Sequence, residues 1–111
     1  MFRVAVYTLT RDRLDYTRRS FDSLKEKAGY PYDHYVVDNG SLDGTKEWLR
    51  DHESEFAGVM YNSENQGISI ASNQALDMIQ NGNEKYDLII KMDNDCDVES
   101  DAILHQIVEM Y

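Results

Sequence analysis

HYVVDNGSLDGTKEWL, residues 34–49, runs from an apolar, β-branched segment through a turn into a helical pattern. HYVVD (34–38) reads as a strand because its valines and tyrosine suit a pleated surface. NGSLDG then gathers the residue types that tolerate tight turns and positive φ. A short helix carrying Trp48 and Leu49 follows. If this strand–turn–helix unit recurs along the chain, the fold is an α/β sheet.

It does recur. FRVAVYTL (2–9) reads as a strand, and from Leu14 the apolar positions Leu14, Phe21, Leu24 and Ala28 share one helical face. Gly29 and Pro31 supply the stop. GVMY (58–61) is a third strand, and the loop NSENQG leads into a helix with Ile68, Ala71, Ala75, Met78 and Ile79 facing inward, ending near Gly82. YDLIIKM (86–92) reads as a buried fourth strand, and Ser100 as the N-cap of a last helix with Ile103, Leu104, Ile107 and Val108 inward. The alternation predicts a Rossmann-like, mostly parallel sheet of about four strands flanked by helices. It also places Thr10, Asp38, Asn62 and Asp93 at carboxyl ends of strands, the edge where open α/β sheets bind ligands.

Composition narrows the class. With 111 residues, 41% hydrophobic and one proline, the chain is a single folded domain that buries roughly 60–70% of its unfolded surface. The formal charge of −10 argues against nucleic acid as partner and requires local help, from a cation, a helix end or placed basic residues, for any phosphate ligand. No apolar run approaches a membrane span and MFRVAVYTLTRDR lacks a secretory core, so no transmembrane segment or signal is expected. Cys96 is the only cysteine, which fits a reducing, cytoplasmic setting, with the inner membrane face as a peripheral location.

KMDNDCDVESD (91–101) concentrates acids after the fourth strand. A solvated loop ahead of a helix is one reading and accounts for Glu99 and Asp101. An EF-hand loop matches Asp93, Asp95 and Asp97 but lacks the required Gly and Glu, with Val98 and Leu104 in their places. An aspartyl-phosphate phosphatase would use Asp93 as nucleophile, yet nothing downstream supplies a supporting lysine. The remaining reading is a D-x-D site in which Asp93 and Asp95 hold Mg²⁺ or Mn²⁺ against a diphosphate.

Taken together, four segments resemble the nucleotide-binding half of the family 2 glycosyltransferases of the GT-A fold. VAVYTLTRDRLDYTRRSFDSL resembles the family's first strand, nucleotide loop and helix. HYVVDNGSLDGTKEWL is similar to its VDNGSxDGT segment, ENQGISIASNQAL to its ENxGxxxxxN region, and LIIKMDNDCDVESDAIL to its strand plus D-x-D. The resemblance implies a donor domain over 1–111 that binds a UDP-, GDP- or dTDP-linked sugar for inverting transfer to an acceptor hydroxyl, the glycan, lipid or protein acceptor being unspecified. Backbone around Thr8, Thr10 and Arg11 would line the nucleotide pocket, and Asp38 would accept from base or ribose. Gly67 would let the backbone approach the ligand and Asn73 would help hold the donor. Asp93 and Asp95 would hold the metal, Mn²⁺ or Mg²⁺, with Asp95 the direct ligand and Asn94 facing the sugar.

Each residue also has a plainer reading. Asp38-Asn39-Gly40 is an ordinary turn, Gly67 a turn into a helix, Asn73 an exposed helix residue and Arg11, where relatives carry an aromatic, a surface charge. Trp48 reads as core, and His34, His52 and His105 show no ligand spacing. The family's general base is expected outside these residues, so the chain reads as a donor half truncated before the acceptor-binding part. A non-catalytic metal- and nucleotide-binding module is the alternative of a different class. A nucleotidyltransferase would share the architecture, but LTRDRLD lacks its glycine-rich loop.

Overall fold

Along β1 (Val4–Thr10) successive side chains point to opposite faces, and both faces are apolar: Val4 and Val6 enter one core, Ala5 and Tyr7 the other. A strand covered on both sides belongs at the centre of a sheet. That is where the computed structural model, which describes residues 2–94, puts it. β2 (Asp33–Asn39) and β4 (Leu88–Lys91) flank β1, and β3 (Gly58–Asn62) pairs with β2, giving a parallel sheet of order β3-β2-β1-β4.

Three helices among the described residues make the crossovers: α1 (Leu14–Lys27), α2 (Thr45–Asp51) and α3 (Ile68–Asn81). Phe21 and Leu24 of α1 and Leu49 of α2 pack with Val4, Val6 and Val36. On the other face Ala71, Ala75 and Ile79 of α3 meet Ala5, Tyr7, Tyr35 and Val37. Alanines at those contacts let α3 lie close over β1 and β2. The fold therefore matches the expected mostly parallel, helix-flanked sheet.

Two expectations need correction. Ile68, assigned to the inner face of its helix, is 69% exposed. It stands at the first position of α3, overhanging the sheet's edge, and Ala71 is the first residue of the helix to reach the core. The fourth strand is also shorter and less buried than YDLIIKM suggested. β4 begins at Leu88, and Ile89 and Lys91 are exposed, because α3 packs on the neighbouring strands. Tyr86 lies before the strand and donates to Asp33 Oδ2 at 2.6 Å. The proposed last helix at Ser100 to Val108, with Cys96 and His105, lies outside the described residues.

Candidate functional site: the carboxyl edge at the β1–β4 junction

Strand order reverses at β1. The chain steps outward from β1 to β2 to β3 and then returns to pair β4 on β1's free side. Such a switch point opens a crevice beyond the strand ends. The register aligns Thr10 with Asp38, and Asn39 with Asn62, at the rim of that crevice.

The loop after β2 is built around two carboxylates. Asp38 is fully buried and accepts from Thr10 Oγ1 at 2.8 Å, Ser41 Oγ at 2.6 Å and Ser41 N at 2.9 Å. It thereby ties the end of β1 to the turn, and a carboxylate with about four lone-pair sites retains room for one more donor. Asp43 caps two helices at once. Its Oδ2 accepts from Leu14 N of α1, and its Oδ1 from Thr45 N and Oγ1 of α2. Partial burial pushes the Asp43 carboxyl up, but the bonds from Thr45 and Leu14 outweigh it and hold the carboxyl below its usual range. Those bonds satisfy helix N-terminal amides that no capping side chain of Arg13 or Gly44 reaches.

Glycine is required at Gly40, for two reasons. Its φ of +86° is unfavourable for other residues, and an added Cβ would lie 2.6 Å from the Glu64 carbonyl carbon. The loop after β3 thus presses against the loop after β2. Amides lock the contact. Asn39 Nδ2 donates to Asn65 Oδ1 at 2.9 Å, Asn39 Oδ1 accepts from Gln66 N and Asn62 Nδ2, and Asn62 and Gln74 exchange a reciprocal pair. On the other side Asp12 N donates to Ser41 Oγ and Leu42 N to Asp12 Oδ1, while Asp12 and Arg13 sit at φ of 54° and 57°. Consecutive left-handed residues that are not glycine store local strain of order 1 kcal/mol each beside the crevice.

What these loops enclose is a cavity of about 250 Å³ lined by Leu9, Thr10, Arg11, Asn39, Asn65, Ile68, Lys91, Asp93 and Asn94. Its wall mixes the apolar Leu9 and Ile68 with amides, two cations and one carboxylate. Asp93 is exposed, and among the described residues its carboxylate has no hydrogen-bond partner; only its backbone carbonyl is engaged, by Ser20 Oγ at 3.3 Å. Asn94 Nδ2 reaches Thr17 Oγ1 of α1 at 3.3 Å. An exposed, unengaged carboxylate suits a hard cation, though the described residues contain no group of three metal-type side chains, and Asp95 lies outside them.

A larger cavity, about 370 Å³, lies elsewhere, between α1, α2 and the 3₁₀ turn Glu53–Glu55. Phe21, Trp48, Phe56 and His34 line it, Trp48 stacks on His52 with centroids 4.4 Å apart, and Lys25 pairs with Glu55 across it. His34 shares a hydrogen bond with Thr8 Oγ1 at 3.0 Å, and burial, helped by the Lys25 charge, drives its pKa down to about 3. This neutral, packed histidine belongs to the core face.

The structure brings Thr10, Arg11, Asp93 and Asn94 together around the smaller cavity, with Asp38 bonded to Thr10 behind its wall. Thr8 points into the core toward His34. Gly67, at φ 83°, turns the chain into α3 and accepts from Asn39 Nδ2, and Asn73 is exposed on α3; none of these three lines the cavity. Sequence reasoning missed Leu9, Asn39, Asn65, Ile68 and Lys91. Lys91 carried a usable signal, since it is the lone charge in the LIIKM run and stands at its strand's carboxyl end.

Comparison with known proteins matches this geometry. The profile of glycosyl transferase family 2 matches residues 5–111. A Bacillus subtilis (strain 168) protein assigned as a teichuronic acid biosynthesis glycosyltransferase, TuaG, is 32% identical over 79 residues, spanning 69% of this chain and 31% of the relative. The mannosyltransferase PcManGT of Pyrobaculum calidifontis, in complex with GDP-Man and Mn²⁺, superposes with a TM-score of 0.79 at 24% identity over 96% of this chain and 31% of its own. S. aureus TarS 1–349 in complex with UDP-GlcNAc gives a TM-score of 0.75 at 18% identity over 98% and 30%. The chain thus spans about a third of the length of these relatives.

Proposed function

Because the chain belongs to glycosyl transferase family 2, we propose that the cavity at the β1–β4 junction is the donor site of an enzyme that transfers a hexosyl-type sugar from a nucleoside diphosphate to an acceptor hydroxyl with inversion. One observation carries the reading: the cavity opens at the switch point of the sheet and is lined by Arg11 and Lys91 together with Thr10, Asn39 and Asp93. Arg11 and Lys91 supply the local positive charge that an anionic ligand needs in a chain of net charge −10. Asn65 stands in the wall as a hydrogen-bonding group, Asn39 fixes that wall through its bonds to Asn62, Asn65 and Gln66, and Asp38, buried behind it, holds Thr10 and the turn in place. The solved relatives hold GDP-Man with Mn²⁺ and UDP-GlcNAc, which supports a nucleotide-sugar ligand here.

Asp93 and Asp95 would hold Mn²⁺ or Mg²⁺ through carboxylate oxygens, the donor set hard divalent cations prefer. A cation there supplies Lewis-acid stabilisation of the departing diphosphate. Thr8 contributes by fixing β1 through His34, and Gly67 by admitting the turn that presents Asn65; Asn73 would act from the α3 surface. No described acid is placed to act as general base on the acceptor. No described helix is long and apolar enough to cross a membrane. The test is calorimetric titration of UDP, GDP and dTDP with and without Mn²⁺, on the chain and on Asp95→Ala. Mn²⁺-dependent binding that the variant loses is expected. Binding that is equal in both, or indifferent to Mn²⁺, would remove the D-x-D from the site.

A further inference from the structure

Arg18, Phe21, Asp22 and Lys25 follow one another along a single face of α1, and that face borders the larger cavity, of about 370 Å³. The cavity lies at the amino half of the sheet. His34 in its wall and Asn39 at the donor crevice are five residues apart along β2, roughly 16 Å of strand. The aromatic wall is held by its own contacts. Phe21 meets His34, Phe56 and Trp48 with ring centroids 4.6, 5.7 and 6.0 Å apart, and Trp48 stacks on His52. The Lys25–Glu55 pair joins α1 to the 3₁₀ turn and fixes the mouth.

Other polar groups on this wall are uncommitted. Among the described residues Arg18, Asp22 and the Tyr32 hydroxyl make no hydrogen bond or ion pair. His52 Nδ1 donates to the Trp48 carbonyl at 2.7 Å, and its Nε2 stands 4.0 Å from Glu55, beyond hydrogen-bonding distance. We propose that this cavity binds a neutral saccharide unit, apart from the donor crevice. Arg18 and Lys25 balance Asp22 and Glu55, so the wall favours neither sign of net charge. Its uncommitted groups set donors beside acceptors, which suits hydroxyls, because each hydroxyl both donates and accepts. The C–H face of a sugar ring packs against aromatic side chains. An anion would meet Asp22, and a wholly apolar ligand would strip water from Arg18 and Asp22 without replacing it. The volume falls within the ~300–1,000 Å³ typical of small-molecule sites. The inference rests on this face alone and stands whether or not the smaller cavity takes a nucleotide sugar.

Trp48 is the only tryptophan in the chain, so its fluorescence reports on this cavity. Titration of the full chain with methyl glucoside, methyl galactoside and N-acetylglucosamine tests the proposal. At least one is expected to change the emission with saturation, half-complete on the order of 1 mM for ligands this small. Arg18→Ala and Asp22→Ala, both at exposed positions, should each weaken that binding about ten-fold. Circular dichroism on each variant separates loss of binding from loss of fold. Maltotriose distinguishes the source of the sugar: tighter binding than methyl glucoside assigns the site to a glycan chain, equal binding to a single unit. Glycerol at matched concentration, and L-phenylalanine as a zwitterion able to bridge Arg18 and Asp22, are expected to have no effect. The proposal is overturned if no sugar changes the emission of the folded chain, if glycerol changes it equally, or if both variants bind as the parent does. A response to L-phenylalanine with every sugar silent would also overturn it and assign the cavity to an amino acid.

Discussion

The two cavities differ in a way that size does not reveal. The larger, at about 370 Å³, sits over the α1–α2 face and is walled by Phe21, Trp48, Phe56 and a histidine kept neutral by burial, together with the charged Arg18, Asp22, Lys25 and Glu55. The smaller, at about 250 Å³, sits beyond the strand ends and is walled by amides, two cations and a carboxylate. In the first, Lys25 and Glu55 pair with one another. In the second the Asp93 carboxylate is unengaged among the described residues, and the loops that form the wall are tied down from behind by Asp38 and the Asn39 amide. What distinguishes the candidate site is its place at a strand-order reversal, beside a carboxylate that is unengaged among the described residues.

The largest expected effect comes from Gly40→Ala. Both its positive φ and the backbone of Glu64 oppose a Cβ, so stability should fall by at least ~3 kcal/mol and nucleotide binding should be lost. Gly44→Ala sharpens the point. Its φ is +110°, but a Cβ would meet nothing within 4 Å, so only the backbone strain of about 1 kcal/mol should appear in denaturant unfolding. Asp38→Ala would leave Thr10 Oγ1 and the Ser41 donors without their buried acceptor, at a cost of about 3 kcal/mol by the same measurement.

Stability against pH probes the other cavity. His34 is neutral when folded, with a pKa near 3, whereas the unfolded chain protonates it near the ordinary value of 6.5. Between those values the unfolded state binds more protons, so stability is full above pH 6.5 and falls as pH drops toward 3. This histidine should account for about 2 kcal/mol of loss between pH 6.5 and 5, and His34→Phe should flatten that part of the curve. Smallest is Lys91→Met at the exposed rim, expected to weaken nucleotide diphosphate binding about three- to ten-fold, more at low salt, with stability unchanged.

Much of this was legible in the sequence, for physical reasons. The β-branched runs and helical periodicity fix the parallel layers, and the strand-end rule alone places Thr10 and Asp93 at the cavity. In DNGSLDG the sequence singles out only Asp38 for a ligand role and reads the rest as a turn, and the contacts that build that turn lie beyond the local pattern: Asp38 holds Thr10 and Ser41, Asp43 caps two helices and Gly40 admits a neighbouring loop. Local patterns do not say which donors a carboxylate will meet across the chain. Thr10 lies 28 positions from Asp38 and Asn65 lies 26 from Asn39. Ile68 misled for a related reason, because helical period sets the angle of a residue but not whether the helix end overhangs the sheet.

The central claim, that the smaller cavity is the nucleotide site, is most directly tested by residue-resolved NMR with GDP or UDP, first with Mg²⁺ and then with Mn²⁺. The account predicts shifts at Thr10, Arg11, Asn39, Asn65 and Lys91, with paramagnetic broadening centred on Asp93. Shifts and broadening centred instead on Phe21, His34, Trp48 and His52 would contradict it and hand the ligand to the larger cavity.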